Sequence, residues 1–254
     1  MVFGEQKMPQ WLEYDWILNS VPSKYRVNME LDSILPHTSM QMLLHVKCGS
    51  KDPRGDGMTL RERRRVEALE RKCVKQLDAV YAGIIDSGSE VRMYFYTDKE
   101  RDFEMLRELL DKENGIDCVC KRIFEPQWQT YYKLLYPDAA KYQTVRNKTL
   151  IDNISKRGDN TSAPRRINLH MHFPTEPLRL LFQEEARLAG FVIGDAVYAP
   201  EQDLPYGVVL HRISTLCKRD IDSLTTRAIR IAERFRGVLV QWDCLLISKG
   251  SPLK

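Results

Sequence analysis

Ile167-Asn-Leu-His-Met-His-Phe173 alternates apolar and polar side chains, and Pro174-Thr-Glu-Pro-Leu178 breaks the alternation. Side chains alternate along an extended chain, so Leu169, Met171 and Phe173 fall on one side of a strand and His170 and His172 on the other. Thr175 is placed to cap a helix, and Pro177 is tolerated in its first turn. Leu178, Leu181, Phe182, Glu185, Leu188 and Ala189 follow at three-to-four spacing up to Gly190, a left-handed stop. Phe191–Tyr198 and Tyr206–Arg212 alternate as two strands, separated by Pro200, Asp203 and Pro205, which resist strand pairing. Ile221, Leu224, Ala228, Ile231 and Phe235 mark a second helix closed by Gly237, and Val238–Ile247 is a last apolar strand containing Trp242. Strand-helix-strand twice over, with both helices free to cover one sheet face, is the ferredoxin-like arrangement.

Upstream the same order recurs between Met40 and Phe124. Met42, Leu44 and Val46 alternate in a strand, and Thr59-Leu-Arg-Glu62 is a capping box opening a helix with Val66, Leu69, Cys73, Leu77 and Val80 on one stripe. Strands at Ile84-Ile85 and Glu90–Tyr96 follow. A second capping box, Thr97-Asp-Lys-Glu100, opens a helix striped by Phe103, Leu106, Leu109 and Leu110, and Ile116–Phe124 is the fourth strand. Trp11–Leu18, an aromatic-rich stretch of strand or irregular character, and Tyr25–Leu31, which alternates as a strand, precede this unit, with breaks at Pro36 and in the loop holding Pro53, Gly55 and Gly57. Gln127–Tyr136 reads as a short amphipathic helix. The expected fold class is α+β: two tandem ferredoxin-like α/β sandwich domains, the first with extra N-terminal strands. The expected boundaries are 8–145 and 167–254, joined over 146–166 by a polar, breaker-rich connector ending Lys156-Arg-Gly-Asp-Asn-Thr-Ser-Ala-Pro-Arg-Arg166, exposed and open to proteases.

With 43% hydrophobic and 29% charged residues the composition is that of an ordinary globular chain. The net charge of +4 does not by itself call for nucleic acid. Cys48, Cys73, Cys118, Cys120, Cys217 and Cys244 match no zinc-finger spacing and are too few for a disulfide scaffold. No apolar run reaches the ~18 residues of a membrane span, and Met1-Val-Phe-Gly-Glu-Gln-Lys7 lacks a basic-then-apolar leader. The expectation is a cytoplasmic protein with reduced thiols, away from the membrane.

Three constellations carry possible chemistry. On the sheet face opposite the helices of the first domain, His45, Lys47, Arg92, Tyr94 and Tyr96 mix aromatics with cations, as surfaces that stack single-stranded RNA do. Packing against another element or chain is the alternative. On the second domain, His170 and His172 share a strand face with His211 on the neighbouring strand. Three imidazoles can ligate zinc, or can be ordinary polar residues of an open face. Arg61, Arg63, Arg64 and Arg65 open a helix, where they form either an anion surface or a solvated face beside Glu67 and Glu70. No G-x-S-x-G, P-loop, G-x-G-x-x-G or H-E-x-x-H occurs, and no carboxylates are singled out as an acid and base. No catalytic residue, cofactor or resident metal is therefore expected.

The Phe173-Pro-Thr-Glu176 entry, the Leu204-Pro-Tyr-Gly207 turn and the terminal Trp242-Asp-Cys244 resemble the regulator of ribonuclease E activity B (RraB) family over roughly the last third of the chain. The resemblance implies a non-enzymatic protein that acts by binding another protein, since the named member binds and inhibits ribonuclease E. Trp128, Tyr131 and Tyr132 followed by Leu135-Tyr-Pro137 are similar to the end of a bacterial family called domain of unknown function 695, over roughly residues 8–138, and no activity comes with that likeness. The function expected is that of a non-catalytic regulatory protein bound to another protein, with a ribonuclease suggested by the resemblance. An RNA-binding module and an unrecognised enzyme are the alternatives.

Overall fold

A computed structural model describes residues 10–34, 39–52 and 57–248. Pro36, Pro53 and Gly55, read as chain breaks, lie outside them. The chain divides into two units, Met1–Pro137 and Asp138–Lys254.

The first unit opens with β1 (Trp11–Leu18) and β2 (Val21–Asn28), an antiparallel hairpin. Asn19 and Ser20 between them both have positive φ, 48° and 68°. That is a two-residue type I′ turn, whose twist matches the twist of paired strands. After the short α1 (Leu31–Ile34) come β3 (Met42–Gly49), α2 (Leu60–Gln76), β4 (Val80–Asp86), β5 (Glu90–Thr97), α3 (Glu100–Asp111) and β6 (Asp117–Phe124). The sheet order is β1-β2-β4-β5-β3-β6. Its last four strands are the ferredoxin-like set, and the hairpin extends the β4 edge. Leu44, Val46, Cys48, Val91, Met93 and Phe95 point to one side and pack with Val66, Leu69 and Cys73 of α2 and Leu106, Leu109 and Leu110 of α3.

The capping box at Thr59 forms as expected. Thr59 Oγ1 accepts from the Glu62 amide, and the Glu62 carboxylate accepts from the Thr59 amide at 2.8 Å. These bonds and one from the Ser50 hydroxyl pull the Glu62 carboxyl down to about 2. The second box does not form. α3 starts after Lys99 without a side-chain cap, and the Thr97 hydroxyl instead donates to Asp102 at 2.5 Å. Asp102 is 1% exposed, and a buried carboxylate must be supplied with donors. It also accepts the Asp78 amide, at 3.0 Å.

The second unit begins with α4 (Ala139–Lys156), capped by Asp138, whose side chain accepts from the Lys141 amide. Then come β7 (Arg165–Phe173), α5 (Glu176–Leu188), β8 (Val192–Tyr198), β9 (Tyr206–Ser214), α6 (Lys218–Glu233) and β10 (Val238–Cys244). The sheet order β10-β7-β9-β8, antiparallel throughout, is again ferredoxin-like. Where the sequence suggests a connector over 146–166, the structure has most of α4, with Gly158–Pro164 leading into β7. The helix escapes the apolar pattern because much of what it buries is polar: Gln143, Thr144 and Asn147.

Asn147 explains how a polar face is buried. Its Oδ1 accepts from Gln143 Nε2 and from the Trp242 indole N–H, both at 2.8 Å. Its Nδ2 donates to Thr225 Oγ1 and Asp222 Oδ1, both at 2.9 Å. One fully buried amide with every polar site paired thus joins α4, α6 and β10. A second buried polar join lies below the sheet ends. Arg165 pairs with Asp159 at 2.7 Å, their side chains 3% and 1% exposed. Arg165 also donates to the Leu245 carbonyl at 3.1 Å, and Asp159 accepts the Ile247 amide at 2.6 Å. The segment entering β7 is thereby fastened to the one leaving β10.

The two helices that the sequence predicts in this unit, α5 and α6, pack differently from their expected stripes. α5 buries Arg179, Phe182, Gln183 and Ala186, while Leu181 is 55% and Leu188 89% exposed. The aliphatic stems of Arg179 and Gln183 cover sheet that leucines were expected to cover. Thr175 holds the cap position of α5 without a side-chain bond. α6 buries Ile221, Leu224 and Ala228, but also Thr225 and Ile229, because α4 packs on it as well as the sheet. Phe235 is only half-buried. At the end of α6 the left-handed residue is Arg236, with φ 57°, rather than Gly237. Gly237 is needed for a different reason: a Cβ there would meet the Phe173 ring at 2.1 Å.

Asn147→Leu strands the Trp242 and Gln143 donors in a dry interior, and a stranded donor costs about 1–3 kcal/mol. Denaturant unfolding of the full chain followed by circular dichroism is expected to show a loss of about 2–5 kcal/mol, with Asn147→Gln partly retaining stability. Asp159→Ala leaves Arg165 charged and buried, and is expected to cost about 3–5 kcal/mol in the same measurement. Wild-type unfolding curves for Asn147→Leu or Asp159→Ala would contradict these assignments.

Candidate functional site

A sheet with its helices on one side has a second side, and in the second unit that side carries polar side chains from three strands. Arg166, Asn168, His170 and His172 project from β7 at every second position. Asn168 faces Asp243 of β10 on one flank and His211 of β9 on the other. Asn168 Nδ2 donates to Asp243 Oδ1 at 2.6 Å, and Asp243 Oδ2 lies 2.6 Å from His170 Nε2. His211 Nδ1 lies 2.9 Å from Asn168 Oδ1, and its Nε2 lies 2.5 Å from the Arg166 guanidinium.

The chemistry assigns the protons. Arg166 only donates, so His211 Nε2 is bare and accepts, and its Nδ1–H donates to Asn168. Asp243 only accepts, so His170 carries a proton on Nε2. His211 is therefore held neutral. Partial burial and then the Arg166 charge lower its pKa below the ordinary imidazole value. His172 stands apart, its Nδ1 2.9 Å from the Leu204 carbonyl. Two glycines make room for the rings: a Cβ on Gly194 would meet His211 Nε2 at 2.0 Å, and one on Gly207 would meet His172 Nε2 at 3.1 Å. Around this hydrogen-bonded centre stand exposed apolar side chains: Val192 at 63%, Val197 at 48%, Ile213 at 66% and Val238 at 43%.

The three histidines expected on one face are on it, but they do not converge. Each spends a ring nitrogen on a different partner, and among the described residues no three His, Cys, Asp or Glu side chains are grouped to hold a metal ion. Arg166, Asn168 and Asp243 are not among the candidate site residues the sequence offers, although Asp243 lies within the terminal Trp242-Asp-Cys244 stretch. The first two could have been, by extending the β7 alternation. Asp243 could not, because its partner depends on the β10 register, which shifts between Leu239 and Gln241.

The other five expected residues lie in the first unit. Tyr94 is 2% and Tyr96 0% exposed, so neither offers a ring to a base. Tyr96 is stacked under Trp128, centroids 3.7 Å apart, and Tyr94 lies against His45 at 4.9 Å. The cover is the segment after β6. Its π-helical turn, Tyr131–Leu135, is anchored by the Trp128 indole donating to the Met40 carbonyl at 2.8 Å and by Tyr14 donating to the Leu135 carbonyl at 2.5 Å. Lys47 and Arg92 both pair with Glu90. Burial first, and then Arg92 and Lys121, lower the pKa of His45. Of the α2 arginines, Arg63 pairs with Asp86 and donates to the Gly88 carbonyl at 2.8 Å. Arg65 reaches Glu113 at 3.9 Å.

Comparison with known proteins identifies two families. The model described as a family of unknown function (DUF695) matches residues 9–136, and the one described as regulator of ribonuclease activity B matches residues 145–244. No curated protein matches. A solved structure described as that of an unknown protein from Galdieria sulphuraria is 13% identical over 82% of this chain and 98% of that chain, with a TM-score of 0.21, a likeness too slight to bear on fold or function.

Lowered folded-state pKa values at His211 and His45 mean that the unfolded chain takes up protons first on acidification. The stability they contribute is complete above the unfolded imidazole value near 6.5 and is lost as pH falls below it towards the folded values. Imidazole resonances followed by NMR are expected to place both midpoints below 6.5, and Arg166→Gln is expected to raise that of His211 alone. A His211 midpoint unmoved by Arg166→Gln would sink the proton assignment.

Proposed function

Because this chain belongs to the family of unknown function DUF695 and its C-terminal unit matches the regulator of ribonuclease activity B family, we propose that it is a non-catalytic regulatory protein that docks a ribonuclease on the open sheet face of its second unit. The observation that carries the reading is the bare face itself. The first unit lays its own aromatic segment on part of the equivalent side. In the second unit Arg166, Gln241 and Asp243 stay exposed, together with Val192, Ile213 and Val238.

The face is suited to a protein partner. Its polar groups are already bonded to one another, so covering them strands few donors or acceptors. The residues sit on paired strands rather than on loops, which lowers the ordering cost of association. The exposed valines and Ile213 supply apolar area to bury. RNA stacking is not favoured, since Tyr94 and Tyr96 are buried. No helix among the described residues is long and apolar enough to cross a membrane.

Affinity capture on the immobilised full chain, after digestion of RNA in the lysate, is expected to retain a ribonuclease identified by mass spectrometry. Ile213→Asp and Val192→Asp, both at exposed positions, are expected to weaken that capture about tenfold, a change of about 1.4 kcal/mol, without changing the melting temperature. Capture with no ribonuclease among the retained proteins, or undiminished capture by both variants, rejects the proposal.

A further inference from the structure

The first unit holds a pair of facing thiols. Cys48 of β3 and Cys118 of β6 are directly opposite in the antiparallel ladder, and both face the helices. Their sulfur atoms are 2.9 Å apart. A disulfide needs a sulfur separation of about 2.05 Å, so closing the pair asks for movement of roughly 0.9 Å, within the reach of side-chain rotation. The two sulfurs differ in access: Cys48 is buried, whereas Cys118 is only half-buried, on a strand at the edge of the sheet.

We propose that Cys48 and Cys118 form a reversible redox pair, closed to a cross-strand disulfide by a hydroperoxide. The half-buried Cys118 reacts first. Its thiolate attacks the outer peroxide oxygen, the O–O bond breaks, and the leaving alkoxide or hydroxide takes up a proton, leaving a sulfenic acid. Cys48 Sγ then attacks Cys118 Sγ. The S–S bond forms, the S–O bond breaks, and the departing oxygen leaves as water with the Cys48 proton. Two thiols lose two electrons and two protons, and one peroxide is reduced to an alcohol, or water, and a second water. The order follows from placement. Cys48 is enclosed, and its hydrogen bond with Cys118, together with burial, pushes its thiol far above the ordinary value. A sulfenic acid 2.9 Å away makes it the resolving group. The bond would tie the edge strand β6, which pairs with β3 and packs on α3, covalently to an inner strand of the four-stranded set.

Two other thiols stand near enough to compete, which makes the test specific. Cys73 belongs to the same buried cluster and Cys120 packs against it. The reduced full chain, treated with stoichiometric hydrogen peroxide, alkylated and digested, is expected to yield a Cys48–Cys118 cross-linked peptide lighter by two hydrogen masses and released by dithiol reductant. Cys48→Ser is expected to stop at a Cys118 sulfenic acid trapped by dimedone, Cys118→Ser to leave Cys48 unoxidised, and Cys73→Ser and Cys120→Ser to keep the cross-link. A wild-type chain alkylated at both cysteines, a cross-link to Cys73 or Cys120 instead, or oxidation of Cys48 in Cys118→Ser at the wild-type rate each overturns the pair.

Discussion

A four-stranded sheet that receives both of its helices on one side is left with another side in contact with water unless something is laid over it. Each unit of this chain is built under that constraint, and the two meet it in opposite ways. The first unit runs on past β6 and folds residues 125–136 back across its second face. Trp128 lies flat on Tyr96, and the Tyr131 hydroxyl donates to the Asn28 carbonyl at 2.8 Å. Glu125 steadies the turn by accepting from the Thr130 hydroxyl at 2.8 Å and from Tyr96 at 3.1 Å. Among the described residues of the second unit no element lies over that face, and its polar side chains bond to each other across three strands.

The helix side of the second unit also departs from an oily sandwich. α4 lies on α6 through an amide whose four hydrogen bonds leave nothing unmet. Such a network adds little net stability over apolar packing, but it admits one alignment of the two helices, since any slide leaves buried donors without acceptors. The buried Arg165–Asp159 pair works the same way at the sheet ends, where packing alone would not specify which segments meet.

Most strands and four of the long helices are legible in the sequence because each obeys a period, two for a strand and three to four for a helix, but β2 starts at Val21 rather than Tyr25, and Val80 opens β4 instead of ending the α2 stripe. α4 is not legible, because the residues it buries are glutamine, threonine and asparagine, which read as surface or connector. The α5 stripe departs from its apolar pattern for a related reason, with Arg179 and Gln183 turned in and Leu181 and Leu188 turned out. Of the candidate face, the β7 histidines could be read from alternation alone. Their joining to Asp243 and His211 could not, since it rests on strand order and register, which no local pattern encodes. Tyr94 and Tyr96 were placed on the correct face of β5. What covers Tyr96 is Trp128, 32 positions further on and beyond the reach of strand periodicity.

The Asn147 cluster also gives the chain an optical handle. The four tryptophans are Trp11, Trp16, Trp128 and Trp242, so the second unit has one indole to itself. That indole is 4% exposed and donates to Asn147. When the second unit opens, Trp242 trades a fixed amide acceptor in a dry interior for water, and its emission shifts towards the red. In a chain whose other three indoles are replaced by phenylalanine, fluorescence reports the unfolding of this half alone, without cutting the protein in two.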